Sequence, residues 1–270
     1  MMNFEYDLLK LDIENNIATL TFNDPDALNA MSGPMLASMD LALDEIENAD
    51  NGVRALIVTG AGRGFCAGAN VARMDGGAEN APKNRPSDAG EGLEKVYHPL
   101  LRRFRNLHCP IVSAVNGPCA GVGMSFALMG DMVVANESAF FLQAFRRIGL
   151  VPDGGATYLL PRLVGMARAR ELAIMGERLP SKTALEWGLI NRVVADDKLL
   201  DEAGALAAEL AQGPHSLKLI RNLLWESVDA KYEEQLNNER QAQRTAGRTE
   251  DFKEGVTAFN DKREAKFTGN

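Results

Sequence analysis

The sequence predicts an α/β core that starts near the N-terminus and ends in an α-helical appendage. Three observations lead there. Short apolar runs rich in β-branched residues alternate with segments of helical spacing. Two of those runs, Ala55–Thr59 and Ile111–Val115, end in Gly-rich turns. From residue 197 to 270 the chain reads as helices charged on one side, so a boundary between core (1–196) and helical region (197–270) is expected there.

In chain order, residues 6–22 alternate apolar and polar around Asn15-Asn16, the signature of a β-hairpin. Asn23–Ala30 is a loop. Met35–Ile46 places Leu36, Met39, Leu43 and Ile46 on one helical face. Ala55–Thr59 is a buried strand that ends in the Gly-rich loop Gly60–Ala69. Residues 75–92 are rich in Gly, Pro, Asn and charge, and read either as a mobile loop near a ligand entrance or as a disordered insertion. Leu93–Leu107 is a helix, Ile111–Val115 a buried strand, and Asp131–Ala135 and Ala139–Leu142 are further strands. Helices are expected at 165–175, 181–187, 197–211 and 214–228.

Composition bounds the function. The chain has 270 residues, 46% hydrophobic and 24% charged, which is enough for a full-sized core. A net charge of −8 argues against nucleic acid and anionic membrane as partners. No apolar run reaches membrane-spanning length, and Met1–Asp7 carries no secretory signal. Cys66, Cys109 and Cys119 form no CxxC pair, which suits a reducing, cytoplasmic setting. No metal-ligand spacing and no dinucleotide fingerprint are present, so no permanently bound cofactor is expected.

The stretch Asn116–Ser125 links the Ile111–Val115 strand to a buried helix through Gly117, Gly121 and Gly123. Such a turn brings backbone N–H groups close to a ligand, and those donors favour developing negative charge. On this reading Val122 N–H faces an oxyanion. On the other, the glycines only permit a tight turn. Asp153, in Gly149-Leu-Val-Pro-Asp-Gly-Gly155, is likewise either a functional carboxylate or an N-cap for the helix starting near Thr157.

Four runs then carry a resemblance: Phe65–Asn70, Pro110–Gly117, Gly149–Gly155 and Ala184–Ile190. Together, in order and over nearly the whole chain, they resemble the crotonase (enoyl-CoA hydratase/isomerase) superfamily. The resemblance implies a spiral of ββα units with a C-terminal helical region, a coenzyme A thioester as substrate, and homotrimers or hexamers built as dimers of trimers. It implies that Ala69 and Val122 supply the two backbone N–H groups that bind the thioester oxygen. Such donors, pre-aimed in a dry pocket, are each worth on the order of 3 kcal/mol in the transition state. It also implies coenzyme A contacts from the Ala27–Ala30 loop (Ala27 and Leu28), from Ala67, Asn70 and Val71, and from Phe259 and Lys262 in the tail. By residue type alone, Lys262 fits a phosphate partner or a solvated helix face equally well.

The chain departs from the hydratase pattern at two places. Hydratases of the family resemble one another in two glutamates, and the matching positions here are Ser125 and Phe145. Adding water to a double bond needs a group to deprotonate the water and one to protonate the α-carbon. Phe145 does neither, and Ser125 is a poor base. The remaining carboxylate is Asp153, where several isomerases of the family resemble this chain in carrying their single acid/base residue. The runs Ala144–Gly155, Tyr158–Gly165 and Gln243–Phe259 are most similar to a bacterial isomerase subgroup of phenylacetate metabolism, which acts on ring-epoxide and enoyl thioesters.

The expectation is therefore an acyl-CoA isomerase with Asp153 as acid and base. An apolar setting beside Phe145 and Leu150 would raise its pKa from the ordinary value of about 3.9. Ser125, Phe145 and His98 are candidate pocket residues. His98 matches the catalytic histidine of a crotonase-type aryl-CoA dehalogenase. The alternatives are that dehalogenase chemistry, a hydratase working with other groups, and a non-catalytic coenzyme A-binding subunit.

Overall fold

The computed structural model describes residues 1–70 and 88–270; Val71 and most of the 75–92 segment lie outside the described residues. The N-terminal hairpin forms where the alternation places it. Strands β2 (Leu9–Glu14) and β3 (Ile17–Phe22) pair antiparallel and bury Leu9, Leu11, Ile13, Ala18, Leu20 and Phe22. Asn15 and Asn16 both have positive φ, 51° and 64°, as a two-residue turn between twisted strands requires. A strand absent from the sequence reading, β1 (Met2–Tyr6), adds antiparallel to the outer edge of β2. Helix α1 (Gly33–Glu47), with Ser32 Oγ accepting from Met35 N–H, then carries the chain back to β4 (Ala55–Gly60), which lies parallel to β3.

From there the main sheet continues in parallel through β5 (Ile111–Val115), β7 (Met132–Asn136) and β10 (Arg192–Val194). Its order is β1-β2-β3-β4-β5-β7-β10. A second sheet of three short strands, β6 (Pro118–Ala120), β8 (Phe140–Leu142) and β9 (Arg178–Pro180), stands beside it in the order β6-β8-β9. Helix α2 (His98–Asn106), opened by a wide turn at Leu93–Tyr97, precedes β5. Helix α3 (Val122–Leu128) follows β6 and is buried throughout. The expected α/β core is thus built, with the Gly-rich turns at the ends of β4 and β6.

The later helices fall close to where the sequence places them, with two adjustments, at α4 and α6. Helix α4 spans Ala156–Arg170, kinked at Gly165, so the helix expected to start near Thr157 and the first part of the 165–175 segment are one element. Helix α5 is Ser181–Glu186. Helix α6 (Leu199–Ala211) packs Leu199, Ala203, Leu206, Ala207 and Ala211 against Ala55, Ile57, Val112, Ala114 and Val134. It therefore covers one face of the main sheet, and the helical region from 197 onward opens with an element of the core. Helices α7 (Ser216–Ser227), α8 (Tyr232–Ala246) and α9 (Glu250–Asp261) complete the chain. Buried Arg221 ties α7 to the core through Asp131 and the carbonyls of Phe104, Arg105 and Leu107. Among the described residues no helix is long and apolar enough to cross a membrane.

Candidate active site

Two Gly-rich turns meet at one corner of the molecule. Cys66 and Cys119 form a parallel bridge, Cys66 N–H donates to Pro118 O (3.1 Å), and Ala120 N–H donates to Cys66 O (2.8 Å). This brings Gly68 and Gly121 so close that a Cβ on Gly68 would lie 3.0 Å from Ala120 O. Gly121 has φ 52° and ψ −130°, a conformation open to glycine alone, and it delivers Val122 as the first residue of α3. The residues that follow the two glycines, Ala69 and Val122, both have N–H groups with no acceptor among the described residues. Around Ala69 the neighbouring groups are taken: Gly68 O accepts from Met31 N–H and Asn70 N–H donates to Met31 O. Helix α3 has only seven residues, so the donors here are individual amides rather than the end of a long dipole.

The third part of the corner is the turn Asp153–Gly155. It packs on the first turns of α3: a Cβ on Gly154 would meet Ser125 Cβ at 2.8 Å and Val122 Cγ2 at 3.1 Å. The Val122 side chain therefore backs this turn. Asp153 does not cap α4; Gly155 occupies the N-cap position, and no side chain bonds there. The backbone carbonyl of Asp153 is the part that serves the turn, accepting from Ala156 N–H (3.0 Å) and from Ser125 Oγ–H (3.0 Å). Its carboxylate is left over. Oδ1 is buried with no hydrogen-bond partner among the described residues, and burial pushes the carboxyl up to about 6. A carboxylate oxygen denied both water and donors is poised to take a proton.

Phe145 and Ser125 are placed differently from one another. The Phe145 ring lies over Gly121, with Cζ 3.6 Å from where a Cβ there would sit, and forms an apolar wall at the corner. Ser125 is fully buried beneath the Asp153 turn, so it supports the pocket from behind rather than lining it. His98, the first residue of α2, is half-buried; its backbone N–H donates to Leu93 O, and its side chain has no hydrogen bond or ion pair among the described residues. Its neighbour Tyr97 is the residue the sequence reading missed. Tyr97 is buried, and burial first, then the nearby Asp153 and Cys66, push its phenol well above the usual range. It is a neutral donor whose hydroxyl has no partner among the described residues. An aromatic hydroxyl just before His98-Pro99 was the available signal.

The Ala27–Ala30 loop joins the same corner. Ala67 N–H donates to Leu28 O (2.9 Å), and buried Asn29 donates to Ala61 O and Gly64 O. Ala27, Leu28, Ala67, Asn70 and Ala69 are thereby held on one rim. Phe259 and Lys262 are not part of it. Phe259 is 84% exposed and belongs to an apolar cavity of about 980 Å³ between α7, α8 and α9, also lined by Ile220, Leu224 and Phe252. Lys262 ends α9 with φ 53° and no ion pair among the described residues.

With this geometry in view, the class of protein is defined: residues 12–270 match the enoyl-CoA hydratase/isomerase family, and the chain belongs to that family, with the crotonase fold. A crystal structure of an enoyl-CoA hydratase/isomerase from Mycobacterium abscessus superposes with a TM-score of 0.89 at 30% identity, covering 97% of this chain and 100% of that one. The relatives narrow the comparison. The chain is 44% identical to 1,2-epoxyphenylacetyl-CoA isomerase of Escherichia coli, over 95% of this chain and 97% of that protein. It is 37% identical to a probable enoyl-CoA hydratase of Rhodobacter capsulatus, over 98% and 99%. It is also 32% identical to trans-2-decenoyl-[acyl-carrier-protein] isomerase of Streptococcus mutans, over 96% and 97%.

Proposed function

We propose that this protein is an acyl-CoA isomerase that shifts a double bond, or rearranges a ring epoxide, with Asp153 moving the proton. The observation that carries this reading is the Asp153 carboxylate, whose Oδ1 is buried and unpartnered, near the Ala69 and Val122 N–H groups, which have no acceptor among the described residues, with no carboxylate at 125 or 145. The thioester oxygen accepts from Ala69 N–H and Val122 N–H. Asp153 removes a proton from one carbon of the activated system, the two amides hold the enolate, and Asp153 returns the proton to another carbon. One base and one oxyanion site complete the cycle with no water consumed. A carboxyl near 6 suits both halves, since it is ionised near neutrality yet basic enough to accept.

The strongest of these three matches acts on an aryl epoxide thioester by its name and the Streptococcus mutans relative also bears an isomerase name, while the Rhodobacter capsulatus relative bears a hydratase name. The Ala27–Leu28 and Ala67–Asn70 rim is the proposed seat of the pantetheine. The apolar face of α7 to α9, with Leu224 and Phe252 largely exposed, is the proposed contact between copies of this chain in a trimer or hexamer, which would bring Phe259 and Lys262 toward a neighbouring site. Sedimentation at a mass of one chain would refute that assembly. The activity test is a panel of 3-enoyl, 2-enoyl and ring-epoxide thioesters. Isomerised product without water addition is expected; hydration of crotonyl-CoA as the fastest reaction would instead favour the hydratase reading suggested by the Rhodobacter capsulatus relative.

A further inference from the structure

We infer that Ser125 is a positioning residue for Asp153: its hydroxyl holds the Asp153 carbonyl where the bare backbone of Gly154 lets the Asp153–Gly155 turn seat against α3. The inference rests on the acid/base reading of Asp153. Ser125 is fully buried, so its Oγ–H has no solvent alternative to the 3.0 Å bond it donates to Asp153 O. A serine inside a helix often bonds back to its own preceding turn. Here it reaches out to another element instead.

The packing is as specific as the hydrogen bond. A Cβ on Gly154 would stand 2.8 Å from Ser125 Cβ and 2.9 Å from Ser125 Oγ, closer than side chains approach. Gly154 has φ 59°. The turn therefore descends onto residue 125 with a glycine backbone, and the two positions share one volume. A side chain at 154 would lift the turn off Ser125 and take the Asp153 carboxylate with it.

Lifting the turn would expose the carboxylate, and desolvation is the cause of its raised pKa. Among the described residues, the other titratable groups at the corner are Tyr97, with His98 beside it, and Cys66, whose thiol burial pushes up to about 12. Arg146 and Arg147 on the adjoining turn are held by Met175 O and Gly176 O. Tyr97 and Cys66 stay neutral through the range in which Asp153 titrates.

The test measures kcat/KM against pH for wild type, Ser125→Ala and Gly154→Ala, each also in an Asp153→Asn background, with melting temperature as the control for folding. Ser125→Ala is expected to lower the rate about tenfold to a hundredfold, as for a reacting group misplaced by about 1 Å. The acid limb should move from near 6 toward the ordinary aspartate value of about 3.9. Gly154→Ala, which crowds the same volume from the other side, should move the limb the same way. Neither change should lower the rate further once Asp153 is asparagine. An unmoved limb in both variants, or the same fold-loss in both backgrounds, would overturn the inference. Asp153→Asn alone at wild-type rate would instead remove the acid/base reading, and with it what Ser125 positions.

Discussion

Two aspartates of this chain have been put to opposite uses. Asp251, at the start of α9, is buried and accepts from the backbone N–H groups of His215 (2.8 Å), Thr268 (2.7 Å) and Gly269 (2.9 Å). Burial pushes its carboxyl up, but those hydrogen bonds together outweigh burial and hold it below the usual range. Asp153 is only partly buried, yet its Oδ1 is screened from water and accepts nothing among the described residues, and its carboxyl rises to about 6. The first carboxylate pins the C-terminal tail to α7 and α9. The second gains no stabilisation from its surroundings, which is a reason to look for its partner in a ligand. Burial alone does not separate structural from chemical acids; the count of donors does.

The comparison breaks most sharply at Asp153. Asp153→Asn is expected to lower turnover of the best thioester by about a thousandfold, within the range for loss of a general acid/base. Stability should not fall. A carboxyl whose folded pKa is raised contributes stability that is present below the unfolded value of about 3.9 and is lost as pH rises through about 6. At pH 8 the ionised carboxylate is therefore a liability, and the asparagine variant should melt no lower than wild type.

Asp251→Ala should do the reverse. Removing a charged acceptor with several donors leaves His215, Thr268 and Gly269 amides unpaired, at a cost of roughly 2 kcal/mol or more. Because this carboxyl is lowered, its contribution is present above the unfolded pKa and is lost as pH falls through the folded one. The melting difference from wild type should narrow in acid, while turnover per folded molecule stays near normal.

The smallest expected effect is on the pH profile of the unaltered enzyme. With Asp153 as the base, kcat/KM falls tenfold per pH unit below about 6 and is level above it. A limb near 4 would mean that the carboxylate which reacts is a solvated one.

Much of this was legible in the chain. The hairpin was, because Asn15-Asn16 between alternating runs states both the turn and its register. So were the two Gly-rich turns, since glycine at Gly68 and Gly121 marks a backbone approach that a side chain would block. Strands β6, β9 and β10 were not; each has only three residues, too few to show a period, and none carries an apolar run like the Ala139–Leu142 stretch that marked β8. Asp153 was found by position, but its role as an N-cap or a free acid depended on where Gly155 falls relative to α4. Tyr97 was missed because its relation to Asp153 exists only through space. Ser125 was read as a missing glutamate, whereas its hydroxyl is what the Asp153 turn rests on, with Gly154 leaving the room for it.

The most direct test of the central claim is proton exchange in heavy water. A 3-enoyl or ring-epoxide coenzyme A thioester is incubated with wild type and with Asp153→Asn, and the recovered thioesters are analysed by mass and NMR. The account predicts deuterium at the α or γ carbon with wild type and none above background with the variant, at equal melting temperature. Exchange by the Asp153→Asn protein at the wild-type rate would contradict it.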